Sequence, residues 1–228
     1  MGATTQPLSE LSMVAKSLSE QQRASEILRR LTALYPDATC SLNYETPLQL
    51  LVATMLSAQC TDERVNKVTP ALFARYPDAA ALAGAQLEAL EVLIKSTGFY
   101  RNKAKNIRGA SQMILERFDG QVPQTMEALT QLPGVARKTA NVVLAHGFRI
   151  NAGVTVDTHV KRLSQRLGLT DEDNPVKVER ALMPLLPQSD WENWSIRLIY
   201  HGRAVCKARK PNCGECCLAD LCPVALGG

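Results

Sequence analysis

Apolar residues recur at helical spacing along most of the chain. Ala24, Ile27, Leu28, Leu31 and Leu34 fall on one face of a 3.6-residue period. Ser19, with Gln22 three positions later, supplies a capping box at the start of that segment. Pro36 stops it. Thr46-Pro47-Leu48-Gln49 repeats the start signal, with a capping residue, proline at the first helical position and glutamine at the third. The segment it opens, Leu48 to Ala58, is apolar nearly all round, which predicts a helix in the middle of a bundle. Further helices are predicted at 63–75, 86–95, 101–118, 124–130, 136–148, 157–167, 175–186 and 190–204, punctuated by Gly and Pro. No stretch alternates with period 2 for long, and no repeat of fixed period is evident, so the expected fold class is all-α. Residues 1–18 are rich in Ser, Thr and Gln and read as a mobile N-terminal tail.

The chain has 228 residues, enough for one large domain or two small ones. Its 46% hydrophobic and 21% charged content fits a globule with an ordinary core. A formal net charge of +4 favours an anionic partner only weakly. The longest apolar run, Pro47 to Ala58, falls short of a membrane span. The N-terminus lacks a basic-then-apolar export pattern, so no membrane association and a cytoplasmic location are expected.

Cysteine usage narrows the chemistry. Cys206, Cys213, Cys216 and Cys222 follow a C-x6-C-x2-C-x5-C spacing, with Cys217 as a fifth thiol in the last gap. A disulfide framework suits a small exported chain, so a metal centre is preferred here. Four thiolates on short loops suit a structural Zn²⁺ or an iron–sulfur cluster, and spacing alone leaves both open. The loop inside the first gap carries Lys207, Arg209 and Lys210 and no anion, so the centre would also hold a basic finger in place.

Leu132-Pro133-Gly134-Val135-Ala136-Arg137-Lys138-Thr139-Ala140 lies between two predicted helices. A tight turn entering a helix presents backbone N–H groups at the positive end of the helix dipole, which is a phosphate site. Alone, such a segment is more often only a turn.

In combination these segments resemble the endonuclease III family of the DNA glycosylase superfamily. Leu132 to Leu144 is similar to its helix–hairpin–helix. Val156-Asp157-Thr158-His159 follows at the expected distance, and then the four cysteines. Leu56-Ser57-Ala58-Gln59 and Gly98-Phe99-Tyr100 match two further segments. The resemblance covers about residues 20–228 and rests on several motifs in the right order.

The resemblance implies two helical lobes. Residues 40–150 would form a six-helix domain, and 19–39 with 151–228 an iron–sulfur domain, with the active site in the cleft between them. It implies a bifunctional activity on duplex DNA holding damaged bases or abasic sites: removal of oxidised pyrimidines, then strand cleavage as an AP lyase. Lys138 would be the nucleophile and Asp157 the carboxylate that assists it. An amine nucleophile is needed because it yields an iminium, from which the 3′ phosphate leaves by β-elimination; water would stop at base removal. Asp157 also has the sequence position of a helix N-cap. Gln59 would fill the gap left by the flipped nucleotide, with Phe99 or Tyr100 as a second, intercalating wedge. Leu132, Gly134, Val135, Ala136 and Arg137 would contact DNA through the hairpin, and Lys207, Arg209 and Lys210 through the basic finger. The cofactor implied is a [4Fe–4S] cluster on Cys206, Cys213, Cys216 and Cys222, and the protein is expected to be a monomer.

Some readings stay open. Arg101, Lys105 and Arg108 are either phosphate contacts or a solvated face. His159 and His201 read as satisfied structural histidines. Ala136 stands where the family usually has glycine; a positive φ there would strain it by on the order of 1 kcal/mol and slow the enzyme. Cys60 replaces a usual alanine and has no account. A monofunctional adenine-mismatch glycosylase, which lacks a lysine at this position, and a metal-stabilised DNA-binding module are the competing functions.

Overall fold

The computed structural model describes residues 18–227. The proposed N-terminal tail lies, apart from Leu18, outside the described residues. Those described are helical, with no strands among them, so the all-α expectation holds. None of their helices is long and apolar enough to cross a membrane. The chain divides into two compact units, one spanning Cys40–Ala152 and the other combining the residues through Thr39 with those from Gly153 onward.

The continuous unit is built around helix α2 (Pro47–Ser57), which follows helix α1 (Glu20–Leu34) of the other unit. Thr46 caps α2 by accepting from the Gln49 N–H, and every residue from Leu50 to Leu56 is buried. Such all-round burial is what the run of apolar residues predicts. Around it lie α3 (Asp62–Arg75), α4 (Ala79–Ala83), α5 (Leu87–Ile94), α6 (Tyr100–Phe118), α7 (Met126–Gln131) and α8 (Arg137–Val142). Thr61, Asp78 and Thr125 cap α3, α4 and α7 through their side-chain oxygens. The expected helix at 136–148 is in two parts: α8 gives way to a wider π turn over Val143–Gly147. That turn ends with Gly147 against Pro47 and Leu50, where an added Cβ would lie 3.4 to 3.5 Å from their side chains. Helix α4 has no counterpart in the expected elements. Five residues make too short a window for periodicity, and only Asp78 and Gly84 mark its ends.

The second unit joins α1 to α9 (Thr158–Arg166), α10 (Pro175–Leu182), α11 (Trp191–Ala204) and the short C-terminal α12 (Pro223–Gly227). The capping box of Ser19 and Gln22 is formed as expected. Ala24, Ile27 and Leu31 of α1 share a core with Val160, Leu163, Val178, Leu182, Trp194 and Leu198. Polar bonds secure the same helix to distant sequence. Arg30 donates to both carboxylate oxygens of Asp220 at 2.5 and 2.9 Å and to the Cys217 carbonyl at 2.8 Å. Arg23 donates to the Gly168 carbonyl at 2.6 Å.

Trp194 is the largest fully buried side chain of this core, at 0% exposure. Trp194→Ala is expected to lower the free energy of unfolding by about 3–5 kcal/mol, the usual cost of removing a buried aromatic. Urea titration followed by far-UV circular dichroism measures it; a loss below about 1 kcal/mol would mean that the core is not packed around the indole.

Candidate functional site

The hairpin before α8 is shaped by one glycine. Gly134 has φ +76°, a conformation open to glycine at little cost. A Cβ there would also lie 2.7 to 2.8 Å from the Asn106 side chain of α6. The hairpin thus sits against α6 at a point where no side chain fits. Leu132 and Val135 turn inward and are 2% and 6% exposed, so their side chains belong to the core. The Val135 N–H is already bonded to the Leu132 carbonyl at 3.1 Å. The expected DNA contacts of these two residues are therefore not made by exposed side chains; Gly134, Ala136 and Lys138 form the exposed rim, with Arg137 half-buried.

Ala136 does not take the positive φ that would strain it. Its φ is −88° and ψ 168°, ordinary extended backbone, because the left-handed residue of this turn is Gly134. Ala136 is the N-cap of α8 and has no side-chain oxygen to accept from the first turn. Lys138, the second residue of that helix, projects from an uncapped N-terminus and is exposed.

Gln59 and Phe99 share an unusual backbone geometry. Both are exposed and both have positive φ, 53° and 47°. Neither is glycine, and such conformations persist only where the surroundings impose them. With Met55, Asn102, Lys103 and Gly134 they line one cavity of about 180 Å³. Phe99 is 64% exposed. Tyr100, the alternative wedge, is half-buried, packs on the core and lies under the Arg101 guanidinium 5.4 Å from its ring centroid. The two aromatics therefore divide: Phe99 projects and Tyr100 packs. Arg101 and Lys105 are exposed and Arg108 half-buried. Lys103, on the same helix, is only 6% exposed.

Asp157 caps α9, as its sequence position suggests. One carboxylate oxygen accepts from the His159 and Val160 N–H groups, each at 2.8 Å. The other lies 3.0 Å from His159 Nδ1. Three hydrogen bonds hold a carboxylate that is half-buried and acceptor-only when ionised. His159 is thereby a partner of Asp157.

Cys206, Cys213, Cys216 and Cys222 line one small cavity with Val205, Pro211 and Val224; Cys217 is not among the lining residues. Arg166 and Asn212 also line it, and burial pushes the Cys216 thiol up to about 11 and raises Cys222 as well. Thiolates here need a cationic centre to offset that penalty, which the donor set fits. Four cysteine thiols around one small cavity fit a metal centre, and the donor set by itself suits zinc or an iron–sulfur cluster. Two sulfurs already receive hydrogen bonds. Arg166 Nη1 donates to Cys206 Sγ at 3.2 Å, and His201 Nε2 lies 3.2 Å from Cys216 Sγ. His201 is 1% exposed, and burial pushes its pKa down, keeping it neutral. The Tyr35 hydroxyl lies 3.2 Å from Nδ1, so both ring nitrogens of His201 have a polar partner.

The same Arg166 holds the basic finger, donating to the Lys207 and Ala208 carbonyls at 2.9 and 2.7 Å. Lys207, Arg209 and Lys210 are exposed beyond it. Arg166, Tyr35 and Lys103 are missed by motif reading. Lys103 left one signal: it occupies the apolar register of α6 with Ile107, Ala110 and Ile114.

Comparison with known proteins agrees with this geometry. Residues 52–188 match the profile of the HhH-GPD superfamily base excision DNA repair proteins. Residues 206–222 match the iron–sulfur binding domain of endonuclease III. The class is thus a helix–hairpin–helix base excision repair protein with an iron–sulfur domain. Endonuclease III of Synechocystis sp. is 71% identical over 94% of this chain and 98% of its own length. That of Bacillus subtilis is 47% identical over 86% of this chain and 89% of its own. A solved structure of a trapped endonuclease III–DNA covalent intermediate aligns with a TM-score of 0.86 at 42% identity, over 91% of this chain and 97% of that one. The chain belongs to the endonuclease III family. It is accordingly a base excision repair enzyme, a DNA glycosylase with AP lyase activity, and its cofactor is a [4Fe–4S] cluster.

Two hairpin variants separate the roles of Gly134 and Ala136. Gly134→Ala is expected to destabilise by about 1–3 kcal/mol, from a left-handed conformation and the Asn106 contact together. Ala136→Ser supplies the missing cap and is expected to stabilise by about 1 kcal/mol. Thermal unfolding of both measures this, and a stabilising Gly134→Ala would contradict the reading of the turn.

Proposed function

We propose that the enzyme removes oxidised pyrimidines from duplex DNA and then cleaves the strand, with Lys138 as nucleophile and Asp157 as its carboxylate partner. The observation that carries this is the exposed lysine at the uncapped start of α8, directly after the hairpin. The aligned structure of a trapped endonuclease III–DNA covalent intermediate supports the covalent route.

In this reading the neutral Lys138 amine attacks C1′ of the damaged nucleotide. The C1′–N glycosidic bond breaks, and the base leaves with its electron pair. Ring opening gives an iminium between Nζ and C1′. The iminium acidifies the C2′ proton, and loss of that proton expels the 3′ phosphate by β-elimination. Water then releases the lysine. Asp157 stabilises the positive charge that develops on the sugar as the base departs. Its three hydrogen bonds keep the carboxylate fixed for that role.

Gln59 fills the space left by the extruded nucleotide and Phe99 enters the stack. The hairpin rim at Gly134, Ala136 and Arg137 contacts the backbone, as do Lys207, Arg209 and Lys210. Cys206, Cys213, Cys216 and Cys222 hold the [4Fe–4S] cluster, which supplies cationic iron to the buried thiolates and fixes the finger. The site of action is the cytoplasm, on chromosomal DNA.

Borohydride reduction on an abasic-site duplex tests the nucleophile. The protein is expected to form a stable covalent adduct, and Lys138→Ala to form none under the same conditions. An adduct that persists in Lys138→Ala would reassign the nucleophile, and no adduct with the intact protein would favour the monofunctional or the DNA-binding reading.

A further inference from the structure

Lys103 has no role in the chemistry above, and its setting is unlike that of any other cation on α6. Its ammonium is buried at 6% exposure, and Nζ donates to the Leu56 and Thr97 carbonyls, both at 2.8 Å. Leu56 lies in the last turn of α2, where carbonyls have no partner within the helix. Thr97 ends the 3₁₀ turn Lys95–Thr97. Each acceptor is close in sequence to a wedge: Gln59 follows Leu56 by three residues, and Phe99 follows Thr97 by two. Both wedges are left-handed, and Gly98 between Thr97 and Phe99 is also at positive φ, 71°. Left-handed non-glycine residues cost of order 1–3 kcal/mol each and need an external restraint.

One ammonium joining the two segments is such a restraint. Lysine suits it: a compact cation with several donors reaches two carbonyls that approach from different elements. Burial lowers the Lys103 pKa, so its retention there is a cost that the two carbonyl bonds offset. Lys103 itself lines the cavity bounded by Gln59 and Phe99.

We propose that Lys103 is a positioning residue for duplex invasion: it ties the chain before Gln59 to the chain before Phe99, so that both wedges enter the DNA at one fixed separation. The proposal rests on the glycosylase reading for its consequence, and its geometry lies within one unit.

The test is Lys103→Met, similar in length but without donors, made in the intact protein and again in a Gln59→Ala/Phe99→Ala background. Hydrogen exchange reads the geometry without any activity: amides of residues 58–60 and 98–100 are expected to exchange faster in the variant. Single-turnover excision of thymine glycol from a duplex is expected to slow at least about tenfold, since displaced groups of this kind cost up to about a hundredfold. Cleavage of an abasic site in a single strand, which has no stack to invade, is expected to stay within about threefold. In the background without wedges the substitution is expected to add less than about a twofold loss, because positioning has nothing left to position. Unchanged exchange at both segments overturns the clamp. An equal loss of excision in both backgrounds overturns its action through the wedges. An intact protein that leaves DNA uncut would instead refute the enzymatic reading, and the exchange result would still decide the clamp. If Lys103→Met fails to fold, Lys103→Gln, which keeps a neutral donor, is measured in its place.

Discussion

A helix end leaves backbone amides or carbonyls without partners in the helix, and each must be satisfied by something outside it. In this protein the groups that satisfy them, or decline to, include the residues to which the proposal gives roles on DNA. Asp157 is held at the start of α9 by the amides it accepts from. Lys138 emerges from an N-terminus whose cap, Ala136, has no acceptor to offer. Lys103 donates to a carbonyl at the end of α2 and to the turn that precedes α6.

The metal region obeys a related constraint. Burial opposes ionisation of the Cys216 and Cys222 thiols. A cationic centre would offset that cost. Arg166 couples that centre to the basic finger, since one guanidinium donates both to Cys206 Sγ and to the carbonyls of Lys207 and Ala208. The Tyr35–His201 pair ties α1 to Cys216 in the same way. The cysteine cavity is embedded in the polar bonding of its unit.

The helices were legible where periodicity was long and caps were standard, as at Ser19, Thr46 and Asp157. The five-residue α4 was not, because it offers too few positions for a period. The π turn at Val143–Gly147 was hidden inside a continuous helical pattern. The motifs do not tell which side chains face outward. Leu132 and Val135 belong to the core, and Tyr100 packs while Phe99 projects. The strain expected at Ala136 is absent, because the left-handed position of the turn falls at Gly134. The setting of Lys103 is not legible in the sequence, since charge and helical register alone do not reveal two carbonyls from other elements. Long-range partners such as Arg166 and Tyr35 leave no local pattern at all.

The central claim is that a group fixed by a helix end supplies charge to the reaction, beyond holding the helix. Asp157→Asn tests it most directly, because the amide oxygen still accepts from His159 and Val160 while the negative charge is lost. Paired measurements of unfolding free energy and single-turnover excision would read the two contributions apart. The account predicts a stability change within about 1 kcal/mol and a rate loss of at least about a hundredfold. A variant that keeps its rate, or that loses rate only as far as it loses fold, would contradict it.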